Sequence, residues 1–585
     1  MDTDIKEINP DLMRLQLNRD SGYKYRERRH ADWLENYTLY RDKVIVNRLT
    51  QRQSVNVPLM KQTIRTLLKD VDDMPDLVFE NRDNDKDAEI FLNAYWQLTL
   101  DNNNADLQDI VDKKQVFMYG RSFDQWQVVD GKIKFTVQDP EDMLVDRYTD
   151  PHDLDSARYF IHTHIFKTLS ELEANENYDQ GEVARLKQFY ATEQGLVKQS
   201  ENQQSLNEKN EKLSQMGVTD IDTPILGETY VELSLHFVKE GAEYRLYVEA
   251  DDQVILFKKG LEEVIGTTKN HFWKDHLPYV SWADDLERQD FWSDAVADIV
   301  RTPNKVLNSW ISQLVENRTL RNYGMHYYNS SIEGFNPEMW EATPWGWYGV
   351  PVPENGSIDS VMKKVDIPDL SESLDEMTFL TGLVEKATGA TATQQGNVMQ
   401  KNVTLGEVQL ALGEAKERSK GMAKFYLPAW RRRGLLFIKL VEASGDKLDS
   451  VRIEKKGRNS NDVYTREIGP KDWATKSGYS VKVWSQDEKE TNDTNDLQKL
   501  QAVKTVMPNN QKLNEIYQRK LLTFAGCTPD QVGEIMEYEK QMMTNMGGVG
   551  MGGNAPMPNQ TVGQPPQKPN QAMLPAQAGG KPPMA

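Results

Sequence analysis

Apolar and polar positions alternate with different periods along this chain, and each change of period marks the edge of an element. From Tyr23 to Asp70, Trp33, Leu34, Tyr37, Tyr40, Ile64, Leu67 and Leu68 recur at steps of about one turn, which predicts helix. A second helical stretch is predicted from Asp87 to Phe117. From Ser122 to Val145 the period drops to two, with Trp126, Val128, Ile133, Phe135 and Val137 around the turn Asp130-Gly131, so a hairpin is predicted. Tyr159 to His164 extends the β material, and Thr168-Leu169-Ser170-Glu171 opens a helix with a capping box. Residues 181–217 are rich in Gln, Asn, Lys and Glu, which suits an inserted, exposed helical excursion or a partly disordered arm. Tyr230–Phe237, Glu243–Val248 and Val254–Phe257 predict an antiparallel meander.

The longest helical signals follow. Trp292, Val296, Ile299, Val306, Trp310 and Leu314 form a stripe between Phe291 and Leu320, and Pro303 should kink that helix. Leu370, Leu374, Met377, Phe379, Leu380 and Leu383 predict another from Asp369 to Ala387. Thr404-Leu405-Gly406-Glu407 is a capping-box start for a third, running towards Ser444 with a bend at Pro428. About 40 residues at 1.5 Å each make it roughly 60 Å long. Tyr323–Asp366, aromatic and rich in Gly and Pro, predicts a compact α/β or β module. Thr388–Val403 is small and polar and reads as a mobile loop. Beyond Val451 come strand-like pieces such as Tyr479–Trp484, then helices at Asp496–Val506, Gln511–Phe524 and Glu534–Met543. Met546–Ala585 holds 8 Gly and 8 Pro and no acid, the composition of a disordered tail.

Composition narrows the function classes. The 585 residues predict roughly three to five domains or subdomains. With 70 Lys+Arg against 90 Asp+Glu the net charge is −20 and the pI is near 5.0, which argues against a surface that grips DNA throughout. Any nucleic-acid contact is expected to be weak, local or transient. The lone Cys527 excludes an intramolecular disulfide framework and multi-cysteine zinc sites. The N-terminus lacks the features of a signal peptide and no apolar run approaches roughly 18 residues, so neither secretion nor membrane insertion is expected.

Catalytic patterns are sparse. Gly389 to Gly396 is followed by Asn397-Val398 and not by the Lys-Ser/Thr of a phosphate-cradling loop. H-E-x-x-H and G-x-S-x-G do not occur, and the pairs His162/His164 and His271/His276 suit packing or surface roles better than metal ligation. Asp284, Asp285, Glu287, Asp290, Asp294 and Asp298 would suit a Mg²⁺-dependent nuclease, but a solvated acidic face at a helix N-terminus is the favoured reading. Arg431-Arg432-Arg433 point about 100° apart on a helix, which favours salt pairing between helices or subunits over one phosphate site. Catalytic residues, cofactors and bound metals are therefore not expected.

The order of these parts resembles the portal protein of tailed double-stranded DNA bacteriophages over about residues 20–540. Gln138-Asp139-Pro140-Glu141-Asp142-Met143-Leu144-Val145-Asp146 is similar to a portal strand ending, His276-Leu277-Pro278-Tyr279-Val280 to a portal turn, and Asn402-Val403-Thr404-Leu405-Gly406-Glu407-Val408 to a portal helix start. Phe291-Trp292-Ser293 departs from the usual aromatic-Gly-Ser step, and Gly406 replaces a small polar residue.

The resemblance implies an α+β, mainly helical fold in wing, stem, clip and crown regions that assembles into a ring, usually of twelve copies. It places an N-terminal wing at 1–283 with the insertion near 181–217, a first stem helix at 284–319, the clip at 320–366 and a second stem helix at 367–389. A tunnel loop at 390–403, a long wing helix and β segment at 404–485, a helical crown at 486–545 and the tail at 546–585 follow. It implies that Gln394, Gln395, Asn397, Gln400 and Lys401 face DNA, and that Tyr327, Tyr328, Trp340, Trp345 and Trp347 face a tail adaptor. Implied partners are double-stranded DNA held by weak sliding contacts, the terminase motor, major capsid and scaffolding proteins, and tail adaptors, at the capsid portal vertex after assembly in the host cytoplasm. The alternatives are a capsid-associated adaptor without a channel and the metal-dependent nuclease.

Overall fold

Turn and cap residues set the outline of the N-terminal half. The computed structural model describes residues 9–42, 55–71, 74–83, 85–209, 229–322, 326–332, 349–352, 354–370, 373–390, 405–456, 463–475 and 477–484, with parts of 497–538. The predicted helical stretch Tyr23–Asp70 is two helices, α1 (Pro10–Tyr40) and α2 (Leu59–Asp70). α1 starts earlier than its apolar stripe because Asn9 caps it, accepting the Asp11 N–H at 3.0 Å, and Pro10 is preset for the first turn. β1 (Asp76–Asn81) follows. The second predicted stretch is also divided, into α3 (Lys86–Asn102) and α4 (Ala105–Tyr119), by Asn104 in the left-handed region at φ 49°. α4 ends at Gly120, φ 83°, where a Cβ would stand 2.0 Å from the Ser293 carbonyl oxygen, so only glycine fits.

β2 (Ser122–Val129) and β3 (Lys132–Gln138) form the predicted hairpin, turned by Asp130 and Gly131 at φ 50° and 73°. β4 (Met143–Val145) and β5 (Tyr159–Thr168) precede α5 (Leu169–Ala174), whose Thr168/Glu171 capping box is present as read. The insertion forms α6 (Gln180–Tyr190) and α7 (Glu193–Lys209). It is helical as expected, yet docked: Val183, Leu186 and Tyr190 are buried against Val231, Leu233 and Leu256. The meander is β6 (Tyr230–Glu240), β7 (Glu243–Ala250) and β8 (Val254–Gly260), completing an antiparallel sheet ordered β4-β5-β6-β7-β8. β9 (Tyr279–Trp282) adds to β2, giving β3-β2-β9.

α8 (Val296–Asn322) runs as one helix through Pro303 and begins later than its stripe, since Phe291 and Trp292 are core residues of the loop before it. β10 (His326–Tyr328) and β11 (Met362–Lys364) pair within the predicted aromatic module. α9 (Ser373–Thr388) and the 40-residue α10 (Leu405–Ser444), continuous through Pro428, match two predicted helices. The proposed cap Thr404, the loop 390–403 from residue 391 onward and the tail 546–585 lie outside the described residues. β12 (Val451–Lys456) pairs with β13 (Val463–Ile468), and β14 (Tyr479–Trp484) returns to β1, about 400 residues back, as its antiparallel partner. The fold is mixed helix and strand, with helix predominating. A second unit, Asp493–Ala585, contains α11 (Gln511–Phe524), a helix read from the sequence.

Two apolar cores flank the β3-β2-β9 sheet. On one side Phe123 and Tyr279 meet Trp33, Phe160, Phe291 and Trp292; on the other, Trp126, Val280 and Trp282 meet Trp96, Tyr426, Trp430 and Phe437. α10 enters the second core through Gly434, where a Cβ would lie 2.7 Å from Leu77 Cδ1. Beside it Arg433, almost fully buried, reaches Asp112 Oδ2 at 2.7 Å and Asp124 Oδ1 at 3.1 Å. Indole N–H groups complete the site: Trp282 donates to Asp112 at 2.8 Å and Trp126 to Asp124 at 2.5 Å. Burial works against the guanidinium charge, and Asp124 and Asp112 together more than offset it, holding its pKa above the usual value. Next to this group Lys113 pairs with Asp109 at 2.5 Å, and burial still pushes the Asp109 carboxyl up to about 6.

Replacing Arg433 by Met leaves two buried carboxylates without a counter-charge. It should destabilise the first unit by about 3–5 kcal/mol, with partial recovery on adding Asp124→Asn, as read from urea unfolding midpoints. A different pH response is expected where α6 and α7 dock. Burial pushes Asp251 up to about 8, where it accepts from Asn202 Nδ2 at 2.8 Å and from the Glu232 N–H at 3.0 Å beside the Tyr190 hydroxyl. Because the folded pKa lies above the unfolded one, this contribution is complete below about pH 4 and is lost as pH rises through 8, by at most about 1.4 kcal/mol per pH unit. Amide exchange in α6 and α7 should accelerate from pH 6 to 9, after correction for intrinsic rates, and Asp251→Asn should flatten that trend.

Candidate assembly interface

A charged lattice fixes the start of α8 to α1. Asp290 accepts from the Tyr25 hydroxyl at 3.0 Å and pairs with Arg28; Asp294 pairs with Arg29 at 2.8 Å. Asp298 accepts from Arg29 Nη2, Asn36 Nδ2 and the Ala295 N–H, each at 2.9 Å. From α8, Arg301 reaches Asp32 at 2.7 Å and Asp298 at 3.1 Å, and Lys305 pairs with Glu35. The favoured sequence reading, a solvated acidic face, is corrected for Asp290 and Asp298, which are counter-charges of basic residues on α1 more than 250 residues earlier, whereas Asp285, Glu287 and Asp294 are exposed to solvent. Asp284 is raised to about 6 by burial and by the neighbouring Asp285. Among the described residues, no group of three or more His, Cys, Asp or Glu is placed to hold a metal ion.

The other charged and imidazole groups separate in the same way. Arg433 is buried with its two aspartates, Arg432 pairs with Asp155 at 2.7 Å and Arg431 is exposed, so pairing between elements, the favoured reading of this run, holds within one chain. His162 meets the Tyr279 hydroxyl at 3.1 Å, His164 meets Asp142 at 3.1 Å, His271 meets Glu262 at 2.9 Å and His276 meets Asp275 at 2.6 Å. These histidines do not converge on a shared site.

From the lattice, α8 and α9 extend as a pair. Leu307, Met377 and Val384 are buried, and Trp310, Ile311, Leu314 and Leu380 pack against the same core. At the far end Asn317 Nδ2 donates to the Pro368 carbonyl at 3.1 Å and Arg321 pairs with Asp369 at 2.7 Å, so α9 returns along α8. The β10–β11 hairpin sits there, with His326 opposite Lys364, Tyr327 opposite Lys363 and Tyr328 opposite Met362. Lys364 Nζ ties it to the Arg321 carbonyl at 3.0 Å.

Tyr327 is 70% exposed and Tyr328 is half exposed, which places these two sequence-predicted residues on a solvent-facing hairpin. Trp340, Trp345, Trp347, Gln394, Gln395, Asn397, Gln400 and Lys401 lie outside the described residues.

The outward face of α9 was not singled out from sequence. Phe379, 69% exposed, and Leu383 lie one turn apart on the side opposite Met377 and Val384. Asp375, Glu376 and Lys386 are exposed beside them, and α8 exposes Ile299, Val315 and Arg318 on different sides, with Lys305 paired to Glu35. The signal was present in the stripe: Leu374, Met377, Phe379, Leu380 and Leu383 span more of the helix circumference than one partner helix can cover.

Removing Arg29 should cost about 2 kcal/mol, because Asp298 stays largely buried with fewer donors. Arg28→Ala, which breaks a half-exposed pair, should cost under about 1 kcal/mol. Thermal unfolding of the two variants checks the order. The model of the family described as phage SU10 portal protein matches residues 39–578, a span that includes the α8–α9 pair, the hairpin and α10. No protein of curated function matches the chain.

Proposed function

Because the chain belongs to the phage SU10 portal protein family, and is thereby a phage portal protein, we propose that the α8–α9 pair is its stem and the carrier of its ring contacts. The family is a structural one, and family membership implies an oligomeric ring at the portal vertex of the virion. The finer reading is a ring of twelve, assembled in the host cytoplasm, through which DNA is packaged and ejected. Residues 320–366 then form the clip, with Tyr327, Tyr328, Trp340, Trp345 and Trp347 towards a tail adaptor. Residues 390–403 form the tunnel loop, with Gln394, Gln395, Asn397, Gln400 and Lys401 towards DNA. A chain of net charge −20 suits weak, sliding contacts, since tight binding to phosphates needs many cations. The terminase motor, capsid and scaffolding proteins and tail adaptors are its partners, and no catalysis is assigned to it. Engagement of Asp290, Asp294 and Asp298 by α1 supports that last point.

One observation carries the stem assignment. α9 turns the exposed Phe379 and Leu383 away from the core that holds Met377 and Val384. A ring of identical copies closes through heterologous contacts, in which one face of a subunit meets a different face of the next. The apolar face of α9 therefore suits a different face of a neighbouring copy. The double variant Phe379→Asp, Leu383→Asp should keep its helical circular dichroism and lose the ring, as read by native mass measurement and particle images. Rings of unchanged mass from that variant would remove the stem contact from this reading, and the wild-type mass gives the number of copies.

A further inference from the structure

The sheet β3-β2-β9 stops at a strand that is covered on both faces. Tyr279 packs on Phe160 and Phe237 at ring-centroid distances of 4.7 and 5.5 Å, and on the opposite face Trp282 packs on Tyr426 at 4.7 Å. One edge of β9 pairs with β2, and the phase of that ladder is fixed by the Trp126 N–H, which donates to the Pro278 carbonyl at 2.8 Å. In an antiparallel pair, hydrogen-bonded positions alternate. Pro278, Val280 and Trp282 thus turn their main-chain groups towards β2, and Tyr279 and Ser281 turn theirs outward. The N–H and C=O groups of Tyr279 and Ser281 have no hydrogen-bond partner among the described residues.

Main-chain groups of a strand buried on both faces are nearly always paired. Here they border a cleft of about 430 Å³ walled by Leu154, Leu286, Phe425 and Pro428. Tyr279 is only 1% exposed, and the partly exposed Ser281 is where the outward edge opens to the cleft. The four residues of β9 offer about 13 Å of edge. Lys424 stands exposed on the rim with no carboxylate partner among the described residues, whereas Arg432, also on the wall, is already held by Asp155.

We propose that this cleft accepts an extended segment of a partner protein as a fourth strand beside β9, with an apolar side chain against Leu154, Leu286 and Phe425 and a carboxylate at Lys424. Main-chain pairing supplies affinity in such strand addition, and side-chain pockets supply selectivity. The exposed Asp153 on the same cleft disfavours a segment with several acids, so one acid among apolar residues is the preferred pattern. The chain's own terminal stretch 546–585 is a poor occupant: it contains no Asp or Glu, and its 8 prolines lack the donor that a ladder requires.

The test uses the full chain and the end-blocked hexapeptide Thr-Val-Asp-Val-Thr-Val at millimolar concentration. Amide exchange at Tyr279 and Ser281 should slow about tenfold or more when the peptide is added. Two versions of the peptide, N-methylated at odd or at even positions, separate pairing from apolar adhesion: one of them should lose the effect. Lys424→Glu, a substitution at an exposed helix position, should weaken binding about fivefold or more, with recovery when the peptide Asp is replaced by Lys. Unchanged exchange at both residues overturns the proposal, as does equal slowing by both methylated peptides. Slow exchange in the assembled protein before peptide is added, absent from the dissociated subunit, would assign the cleft to a neighbouring copy and overturn the partner.

Discussion

One guanidinium and two carboxylates, sealed from water, join three parts of the chain that are far apart in sequence. Asp112 comes from α4, Asp124 from β2 and Arg433 from the middle of α10. Charges removed from water are tolerated only when every one is matched and hydrogen-bonded. That condition turns the cluster into a gauge of position: α10 can sit against the β3-β2-β9 sheet in one register and at one rotation. The indoles of Trp126 and Trp282 contribute their donors from the same sheet, so the polar centre and the aromatic core around it are satisfied together.

The α1–α8 lattice applies the same logic in a less buried setting. Arg29 and Asn36 on one helix converge on Asp298 of another, and Arg301 answers with Asp32 and Asp298. The paired helices that extend from this root are held together by apolar packing. Their direction is set where the charges are, and α9 keeps Phe379 and Leu383 exposed on its outward side.

Local chemistry was legible in the sequence. The Asp130-Gly131 turn, the Thr168/Glu171 box, the meander and the helices ending near Thr388 and Ser444 all depend on neighbours in the chain, and all could be read there. The breaks at Asn104 and after Tyr40 were not read, because the apolar period continues on both sides of them. The partners of Asp290, Asp294, Asp298 and Arg433 were also beyond reach. A carboxylate beside a helix start looks alike whether water or a distant arginine faces it, and only the fold distinguishes the two. The pair Asp109 and Asp112, one turn apart on α4 and both turned inward while Leu107, Ile110 and Val111 are exposed, runs against the ordinary patterning rule. Stripe counting therefore assigns that helix the wrong inner face.

The partnership of β1 with β14 governs when the subunit can finish folding. A ribosome exposes Asp76 long before it has made Trp484, and until then the strand beside α3 presents an unmatched ladder. Closing so long a chain segment is slow by topology alone, and the interval is one in which chaperones have cause to attend the nascent protein. When β14 docks, it also covers Gly434 through Val481, sealing α10 in place. A product truncated before Tyr479 leaves β1 without its antiparallel partner and Gly434 without its Val481 cover.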